Sequence, residues 1–497
     1  MRDTKTNTYG KSVLGYVDYD STYLASSSNQ CYVVAHPGAD LRRGVFVKIG
    51  SPSSYFMAQI VDGPYHTREG EARGFKTRYV AELSAFLEEG VPKAVLTRPK
   101  PGMAVEPVES QTVRGFLGVS GGMRLGCLST DRGIDVTLDP STLTRHVGVF
   151  GTTGSGKSNT IQVLMEEACS SGLAVLVFDV EGEYVEMDKP AGRLTDVLAG
   201  FGLKPKAVED LKVYVPYPSS SSRVDAVRFG IRFKDVERDV FSEVAGLTRM
   251  EHLYFQDLIE KVEAVTPSGQ PVTLKAVVDR LESRLKALAD NPTMPPFIAE
   301  AHTTLYGKLS LTLKLNIVDV KAPSVKMEEV FKAGRVSVVD FSDASDHVRN
   351  IVIADLLHKA FRYKIAHPDS PRLFIVVEEA HAFISREKRD RMLATLMLVV
   401  ETARRGRKRG LCLGIVTQQP NHLPSELLEL CNTRIMHRMS STANINVLKE
   451  STGNVPEGMW STVPSLGRGE AVISTPKYSR ALLVTVRPSL SERIASE

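Results

Sequence analysis

The residues with the clearest chemical meaning read GTTGSGKS at positions 151–158. They match the pattern GxxxxGK[ST] and lie between an apolar run, VGVF, and a predicted helix, SNTIQVLMEEACSS. Glycines let the backbone N–H groups of such a loop turn inward around phosphate oxygens, and the helix N-terminus adds partial positive charge. Lys157 is then expected to bridge the β- and γ-phosphates, and the Ser158 hydroxyl to ligate Mg²⁺. The alternative, a plain Gly/Ser-rich turn before a helix, does not account for all eight matched positions.

Two adjacent acids end a second apolar run, LFIVVEEAH. Hydrolysis of a bound nucleotide needs a metal-holding acid and a group that orients water, and α/β sheets place ligands at the carboxyl ends of their strands. We assign Glu378 to the Mg²⁺ shell and Glu379 to polarising the attacking water. The usual first acid of such a pair is Asp, so the longer Glu378 is expected to reach the metal through a water molecule. The alternative is that both acids simply open a solvated loop.

A third apolar run ends in TQQP at 417–420. Gln418 or Gln419 is a candidate to contact the γ-phosphate and to report its loss. The competing interpretation is an ordinary strand exit before a proline.

Five cations crowd the end of a predicted helix, in the segment ARRGRKRG at 403–410. They fit a solvated helix end that suits the negative C-terminal dipole, a phosphate-backbone patch for nucleic acid, or an arginine that reaches the γ-phosphate held by a neighbouring subunit. The helix before them, 391–403, is expected to pack on the sheet through a stripe of Met392, Leu393, Leu396, Val399, Val400 and Ala403.

Arg145, just before the first core strand, and the acids of DVEGEY, Asp179 and Glu183, are further candidates near the nucleotide. Each is equally compatible with a surface salt bridge.

The elements that must position these residues form an α/β chain. Short alternating strands up to residue 105 predict a small β-barrel, and βαβ spacing from His146 predicts a parallel sheet whose five strands start near residues 147, 173, 335, 372 and 411. Helical periodicity between 225 and 322 predicts an all-α insertion. The expected domains are 1–105 (barrel), 106–224 (first core part), 225–322 (insertion), 323–475 (second core part) and 476–497 (C-terminal extension).

Composition excludes several function classes. The chain has 497 residues, of which 42% are hydrophobic and 24% charged, so it is neither disordered nor collagen-like. Because the net charge is only +4, any nucleic-acid surface must be a local patch. The five cysteines form no CxxC pair, which argues against a zinc site or a disulfide framework. No secretion signal or membrane span is visible in the sequence, so we expect a soluble, cytoplasmic protein.

Taken together, the motifs RHVGVFGTTGSGKSNT, FDVEGEY, IVVEEAHAF, ARRGRKRG, TQQP and SLGRGEAV resemble the archaeal HerA family of DNA translocases, relatives of the FtsK motor. The resemblance implies a RecA-like P-loop NTPase core with an N-terminal HAS-barrel. It implies catalytic roles for Lys157, Glu379 and Arg404, the last acting in trans. It also implies nucleotide contacts by Arg145, Gln418 and the residues of two loops (Gly154, Ser155, Gly156, Lys157, Ser158, Asn159, Thr160, Leu466 and Gly467). One departure concerns the family's REGRKFG, which here has Arg405 in place of an acid and Arg409 in place of an aromatic residue.

The family resemblance further implies a homohexameric ring that encloses double-stranded DNA without reading its sequence. Such rings consume ATP with Mg²⁺ and work with a NurA-type nuclease in resecting double-strand breaks. The rivals are a conjugation or secretion ATPase of the same superfamily, an antiviral relative, and a subunit that binds ATP without turnover.

Overall fold

Two β-sheets organise the chain, and a computed structural model describes residues 13–19, 29–69, 73–290, 295–385 and 392–494. The N-terminal sheet has seven strands and the central sheet has twelve. The first twelve residues, for which the sequence predicts no signal segment, lie outside the described residues.

The N-terminal sheet closes into a six-stranded barrel, as the sequence predicts. Its barrel strands are antiparallel and β2 pairs with β5 to close the ring, while β6 adds to the outer side of β5. Alternate apolar side chains, such as Val47 and Ile49, fill the interior because successive strand residues point to opposite faces. The strands are β1 (Gly15–Val17), β2 (Gln30–Ala35), β3 (Phe46–Gly50), β4 (Ser54–Glu69), β5 (Arg73–Glu88), β6 (Val91–Lys93) and β7 (Ala104–Pro107).

The central sheet is parallel over eight strands and antiparallel over four. Its order is β13-β12-β14-β11-β15-β16-β10-β17-β18-β19-β8-β9. The strands are β8 (Met123–Leu128), β9 (Asp135–Leu138), β10 (Val147–Phe150), β11 (Ala174–Asp179), β12 (Asp210–Pro216), β13 (Val227–Phe229), β14 (Arg335–Asp340), β15 (Leu373–Val377), β16 (Leu411–Thr417), β17 (Thr433–Met436), β18 (Glu470–Ser474) and β19 (Leu482–Val486).

The five strands predicted from apolar runs are all present and lie side by side in this sheet. Every residue of β10, β11, β15 and β16 is buried, because helices cover both faces. The antiparallel part contains β19, which pairs with β18 and β8 although it lies beyond the expected boundary at residue 475.

Helices pack on both faces of the sheet and form the insertion. They are α1 (Ser110–Leu117), α2 (Lys157–Ser170), α3 (Thr195–Gly200), α4 (Arg238–Val244), α5 (Arg249–Val265), α6 (Leu274–Asp290), α7 (Pro296–Lys314), α8 (Met327–Val330), α9 (Asp346–Ala366), α10 (Leu393–Arg405), α11 (Ser425–Leu430), α12 (Thr442–Ser451) and α13 (Glu457–Trp460).

The insertion between β13 and β14 is helical, as predicted, and its main helices are α4 to α7. Helix α5 begins with a capping box, in which Thr248 and Glu251 satisfy each other's backbone N–H groups. Apolar residues of α5 to α7, such as Phe255, Leu281 and Leu309, join the core that also covers one face of the sheet. Within the described residues, no helix combines the length and apolar character that a membrane crossing requires.

Candidate active site

The phosphate-binding loop joins the carboxyl end of β10 to the first turn of α2. Gly154 and Gly156 adopt positive φ angles of 72° and 119°, which favour glycine. A β-carbon on Gly156 would lie 3.2 Å from the backbone nitrogen of Gly469. Lys157 begins α2, is only 6% exposed, and donates from Nζ to the carbonyl of Thr152 over 3.0 Å. The loop is therefore pre-shaped, with the lysine folded back across it.

The two serines of the loop behave differently. Ser155 is fully buried, and its Oγ donates to the Thr152 carbonyl over 2.7 Å, so its side chain braces the loop. Ser158 is half-buried, and its hydroxyl makes no hydrogen bond to any other residue that the structure describes. Ser158 is thus free to ligate a metal ion, as predicted from its motif position.

The side chains of Asn159 and Thr160 bond away from the loop. Asn159 donates to the Arg487 carbonyl over 2.8 Å and accepts from the Ser489 N–H over 2.9 Å. Thr160 is fully buried, its Oγ1 lies 2.8 Å from His437 Nε2, and its N–H donates to the carbonyl of the glycine at 156. The Thr160 hydroxyl and N–H are thus bonded within the chain, and Asn159 can offer its backbone N–H; the nucleotide contacts of both residues remain predictions.

Glu379 lies beside the loop, directly after β15, in a left-handed backbone conformation (φ 43°, ψ 47°) that is rare for a residue with a side chain. Gln418, the first residue after β16, donates to Glu379 Oε1 over 2.9 Å and accepts from Thr153 Oγ1 over 2.7 Å. Of the two glutamines considered, Gln418 is therefore the one that connects the acid to the phosphate-binding loop.

The environment of Glu379 favours its ionised form. Burial alone would raise the pKa, but the hydrogen bonds and charges of His381, Lys157 and Gln418 outweigh it and lower the pKa of Glu379 below its ordinary value. His381 Nδ1 lies 3.2 Å from Glu379 Oε2. A carboxylate held ionised and oriented in this way can polarise a water molecule.

Glu378 is 3% exposed, and its environment, unlike that of Glu379, disfavours the ionised form. Its Oε1 accepts from the Tyr184 hydroxyl over 2.7 Å, and its Oε2 is buried without a hydrogen-bond partner. Burial, reinforced by the charges of Asp179 and Glu183, raises the pKa of Glu378 well above its ordinary value. A buried, unpartnered carboxylate oxygen would be stabilised by a nearby cation, which fits the predicted Mg²⁺ role.

The described residues contain no cluster of three or more His, Cys, Asp or Glu side chains arranged as a metal cage. Mg²⁺ keeps several waters and is commonly held by one or two protein groups plus substrate phosphates. Ser158 and Glu378 would hold the ion, and when bound it would neutralise charge on the β- and γ-phosphates.

The acids Asp179 and Glu183 of DVEGEY lie at the end of β11 and in the turn that follows it. Asp179 is fully buried and accepts backbone N–H bonds from Gly182, Glu183 and Tyr184, which closes the 179–184 turn. Burial raises the pKa of Asp179 to about 7. Glu183 forms an ion pair with Arg493 at 3.2 Å, but it is buried rather than on the surface, and its charge acts on Lys157 and Glu378.

Arg145 and Arg404 lie at the other edge of the sheet. Arg145 precedes β10, whose four residues span about 13 Å and separate it from the phosphate-binding loop. Arg404 is the last residue but one of α10, next to the carbonyl of Ala403, which lies 2.8 Å from His146 Nε2. Both arginines thus lie toward the edge of the sheet opposite the phosphate-binding loop, and their nucleotide contacts remain predictions.

The five cations of the basic segment differ in whether their side chains have partners. Arg404 pairs with Glu426 and is 61% exposed. Arg405 pairs with Glu401, and both Arg405 and Arg409 stack on the ring of Phe361, at 5.5 and 4.9 Å from its centre. The two residues that depart from the family pattern thus have structural partners. Arg407 and Lys408 are exposed without side-chain partners among the described residues.

The helix before this segment presents most of the predicted stripe to the core. Met392, Val399 and Ala403 are buried, Leu396 and Val400 are half-buried, and Leu393 is 38% exposed. Ala394 and Thr395 are buried as well, because α10 also packs on α9 and α4.

The loop before β18 approaches the site through its backbone. Gly469 donates its N–H to the Ser155 carbonyl over 3.0 Å, and the Gly467 N–H donates to Glu470 Oε2 over 2.8 Å. Leu466 is buried and Gly467 is exposed. Their predicted nucleotide contacts remain predictions, but the loop does reach the phosphate-binding loop.

Comparison with known proteins agrees with this geometry. Residues 123–360 match the family described as "Helicase HerA, central domain". The chain is 24% identical over 388 residues to the DNA double-strand break repair helicase HerA of Saccharolobus solfataricus, covering 76% of this chain and 70% of that protein. It is 23% identical over 467 residues to a probable DNA double-strand break repair helicase HerA of Methanocaldococcus jannaschii, covering 87% and 90%. The chain is therefore similar to HerA helicases over most of its length, and it is a P-loop ATPase.

Solved structures show that the core of this chain shares its fold with the proteins TrwB and VirB4. The plasmid coupling protein TrwB in complex with the non-hydrolysable ATP analogue ADPNP superposes with a TM-score of 0.52 at 13% identity, over 77% of this chain and 94% of that one. VirB4 of Thermoanaerobacter pseudethanolicus gives a TM-score of 0.50 at 16% identity, over 74% and 96%. The predicted fold class and the predicted resemblance to the HerA family are thereby confirmed.

Three residues of the site had no role assigned from the sequence. Thr153 receives no mention apart from its loop, His381 only ends the motif IVVEEAH, and Tyr184 only ends DVEGEY. Their contacts join segments 36 to 265 residues apart in the chain. The available signal was their position: Thr153 lies within the phosphate-binding loop, and His381 and Tyr184 lie within two residues of Glu379 and Glu183.

Proposed function

We propose that this chain is a motor that hydrolyses ATP with Mg²⁺ and moves along double-stranded DNA, in the repair of double-strand breaks. The arrangement of Lys157, Glu379 and Gln418 carries the proposal. The lysine crosses the loop that would hold the phosphates, and the acid is held ionised beside it through Gln418. A subunit that only binds ATP would not need this oriented carboxylate.

The proposed active form is a homohexameric ring. Arg145 and Arg404 lie toward the edge of the sheet opposite the phosphate-binding loop, so they are proposed to assist hydrolysis at a neighbour's nucleotide. An arginine supplied in this way stabilises charge that develops during phosphoryl transfer and makes turnover depend on assembly.

DNA recognition is proposed to be independent of sequence, because a channel can hold the duplex by its phosphates alone. The partner is proposed to be a NurA-type nuclease and the compartment the cytoplasm, since the relatives named HerA are repair helicases. The alternative is an ATPase of conjugation, secretion or antiviral defence, which the fold likeness to TrwB and VirB4 favours.

The deciding experiment is ATP turnover by the purified protein with and without linear duplex DNA, with Glu379→Ala as the blank. Light scattering on the same samples gives the size of the assembly. Strong stimulation by DNA in a ring-sized oligomer is the expected result. Turnover that ignores DNA at every concentration would refute the translocase and favour a protein-moving ATPase.

A further inference from the structure

Two exposed arginines flank the phosphate-binding loop on the side away from Glu379. In the central sheet, Phe150 at the end of β10 is level with Thr417 of β16 on one side and with Met436 of β17 on the other. Gln418 is the residue directly after Thr417, and Arg438 is the second residue after Met436. The loop thus has the catalytic pair on one flank and Arg438 on the other.

The backbone of Arg438 is bonded to the loop itself. Its carbonyl accepts both the N–H of Thr152, over 2.9 Å, and the Oγ1 of Thr152, over 3.1 Å. Its side chain is exposed, and no described residue forms a hydrogen bond or ion pair with it. The backbone of Arg438 is therefore anchored beside the loop, and its exposed guanidinium has no anionic partner among the described residues.

Arg468 is held at the same place by a different element. The next residue, Gly469, donates its N–H to the Ser155 carbonyl, and its nitrogen would lie 3.2 Å from a β-carbon on Gly156. The Arg468 side chain is likewise exposed and without a partner among the described residues. Two cations from separate strand ends thus border one loop built to hold polyphosphate.

The polarity of the site indicates which end of the nucleotide they meet. Glu379 and Gln418 mark the flank where the γ-phosphate is cleaved, and Lys157 serves the β- and γ-phosphates. The opposite flank is left for the α-phosphate. We infer that Arg438 and Arg468 bind the α-phosphate of the nucleotide; this rests on the proposed ATP turnover at the same site.

An α-phosphate contact is made equally in the ground state and in the transition state. Loss of such uniform binding raises KM and leaves kcat nearly unchanged. Removing one charge-assisted contact should weaken binding about tenfold, and the loss should be the same for ATP, ADP and GTP, because all three carry the α-phosphate.

The test measures Mg-ATP, Mg-ADP and Mg-GTP affinity by calorimetry in a Glu379→Gln background, and KM and kcat for ATP in the otherwise unchanged chain. The variants are Arg438→Ala, Arg468→Ala and Arg438→Lys. Arg280→Ala is the matched control, because Arg280 is an exposed arginine of α6 far from the loop in sequence and element. Light scattering and thermal melting accompany each variant.

We expect both alanine variants to raise KM and the dissociation constants about tenfold with less than a twofold change in kcat, and Arg438→Lys to recover part of the loss. A fall in kcat at unchanged affinity would overturn the assignment. So would a loss for ATP but not GTP, which would indicate contact with the base, or a smaller assembly at unchanged affinity, which would indicate a subunit contact. If the parent chain binds no nucleotide, the proposed function itself fails.

Discussion

Gln418 joins the catalytic carboxylate to the phosphate-binding loop: its amide nitrogen donates to Glu379 Oε1 over 2.9 Å, and its amide oxygen accepts from Thr153 over 2.7 Å. A change in the conformation of the loop on loss of the γ-phosphate would therefore be transmitted through Gln418 to Glu379, the group that polarises water. The adjacent Gln419 is exposed and has no side-chain hydrogen bond among the described residues.

Gln418→Ala should lower kcat about 10- to 100-fold, because the Glu379 carboxylate loses the group that orients it. Nucleotide affinity should change little, since Lys157 and the loop are intact. Gln419→Ala is the matched control and should retain near-normal turnover. Steady-state ATPase assays decide the matter, and equal losses in the two variants would contradict a specific role for Gln418.

The two adjacent glutamates should separate by their Mg²⁺ dependence. Glu378→Gln removes the buried carboxylate assigned to the metal shell and should raise the Mg²⁺ concentration for half-maximal turnover about 10- to 100-fold. Glu379→Gln should lower kcat on the order of 10³-fold with little change in that concentration. Turnover titrated with Mg²⁺ measures both, and an unshifted midpoint for Glu378→Gln would remove Glu378 from the metal site.

Arg404→Ala should leave assembly intact but lower turnover on the order of 10³-fold, because the developing charge at the neighbour's γ-phosphate loses its cation. Mixing it with Glu379→Ala subunits should restore part of the activity, since some interfaces then receive a normal arginine and a normal glutamate. Arg405→Ala is the control, because Arg405 is occupied by Glu401 and Phe361. Absence of recovery at every mixing ratio would speak against action in trans.

Much of the fold could be predicted because its signals are local. A run of five to seven apolar residues ending in polar ones specifies a buried parallel strand, and GTTGSGKS specifies the loop between one such strand and α2. Because parallel strands share a carboxyl edge, Lys157, Glu379 and Gln418 could be placed together without any knowledge of the packing.

The remaining features depend on long-range register. The choice between Gln418 and Gln419 follows from the alignment of Thr417 with Phe150 across β16 and β10, which the sequence does not encode locally. Thr160 matches its motif position, but its helical neighbours turn the side chain toward His437. The sequence predicts most of the buried stripe of α10, but the burial of Ala394 and Thr395 depends on packing against α9 and α4, which the local sequence does not encode.

His437 should make the free energy of unfolding depend on pH. Burial lowers its pKa from 6.5 to about 4, and its ring stays neutral between Thr160 Oγ1 and the Glu470 carbonyl. Because the pKa is lower in the folded state, the unfolded chain binds the proton first as the pH falls. The contribution of His437 to the free energy of unfolding is therefore complete above pH 6.5. It decreases as the pH drops toward 4, by up to about 3 kcal/mol. His437→Gln should flatten this decline in denaturant titrations at pH 4.5 and 7.5. If the free energy of unfolding still differs between pH 4.5 and pH 7.5 by the same amount in His437→Gln, the prediction is contradicted.

The buried Arg487 should be the costliest cation to remove. It is fully buried, pairs with Glu166 at 3.1 Å and with Glu167 at 2.8 Å, and donates to the Arg124 carbonyl, so it ties the segment after β19 to α2. Arg487→Met leaves two carboxylates without their counter-charge and should lower the free energy of unfolding by about 3 to 5 kcal/mol.

Lys477→Met gives the matched control for Arg487→Met, because the Lys477–Asp139 pair at 3.3 Å is nearly half exposed and should contribute less than about 1 kcal/mol. Denaturant unfolding at one fixed protein concentration compares the two variants without a contribution from assembly. Since α2 begins at Lys157, the Arg487 variant should also weaken ATP binding at temperatures where it is still folded. Comparable stability losses in both variants would show that the buried pair does not hold the helix.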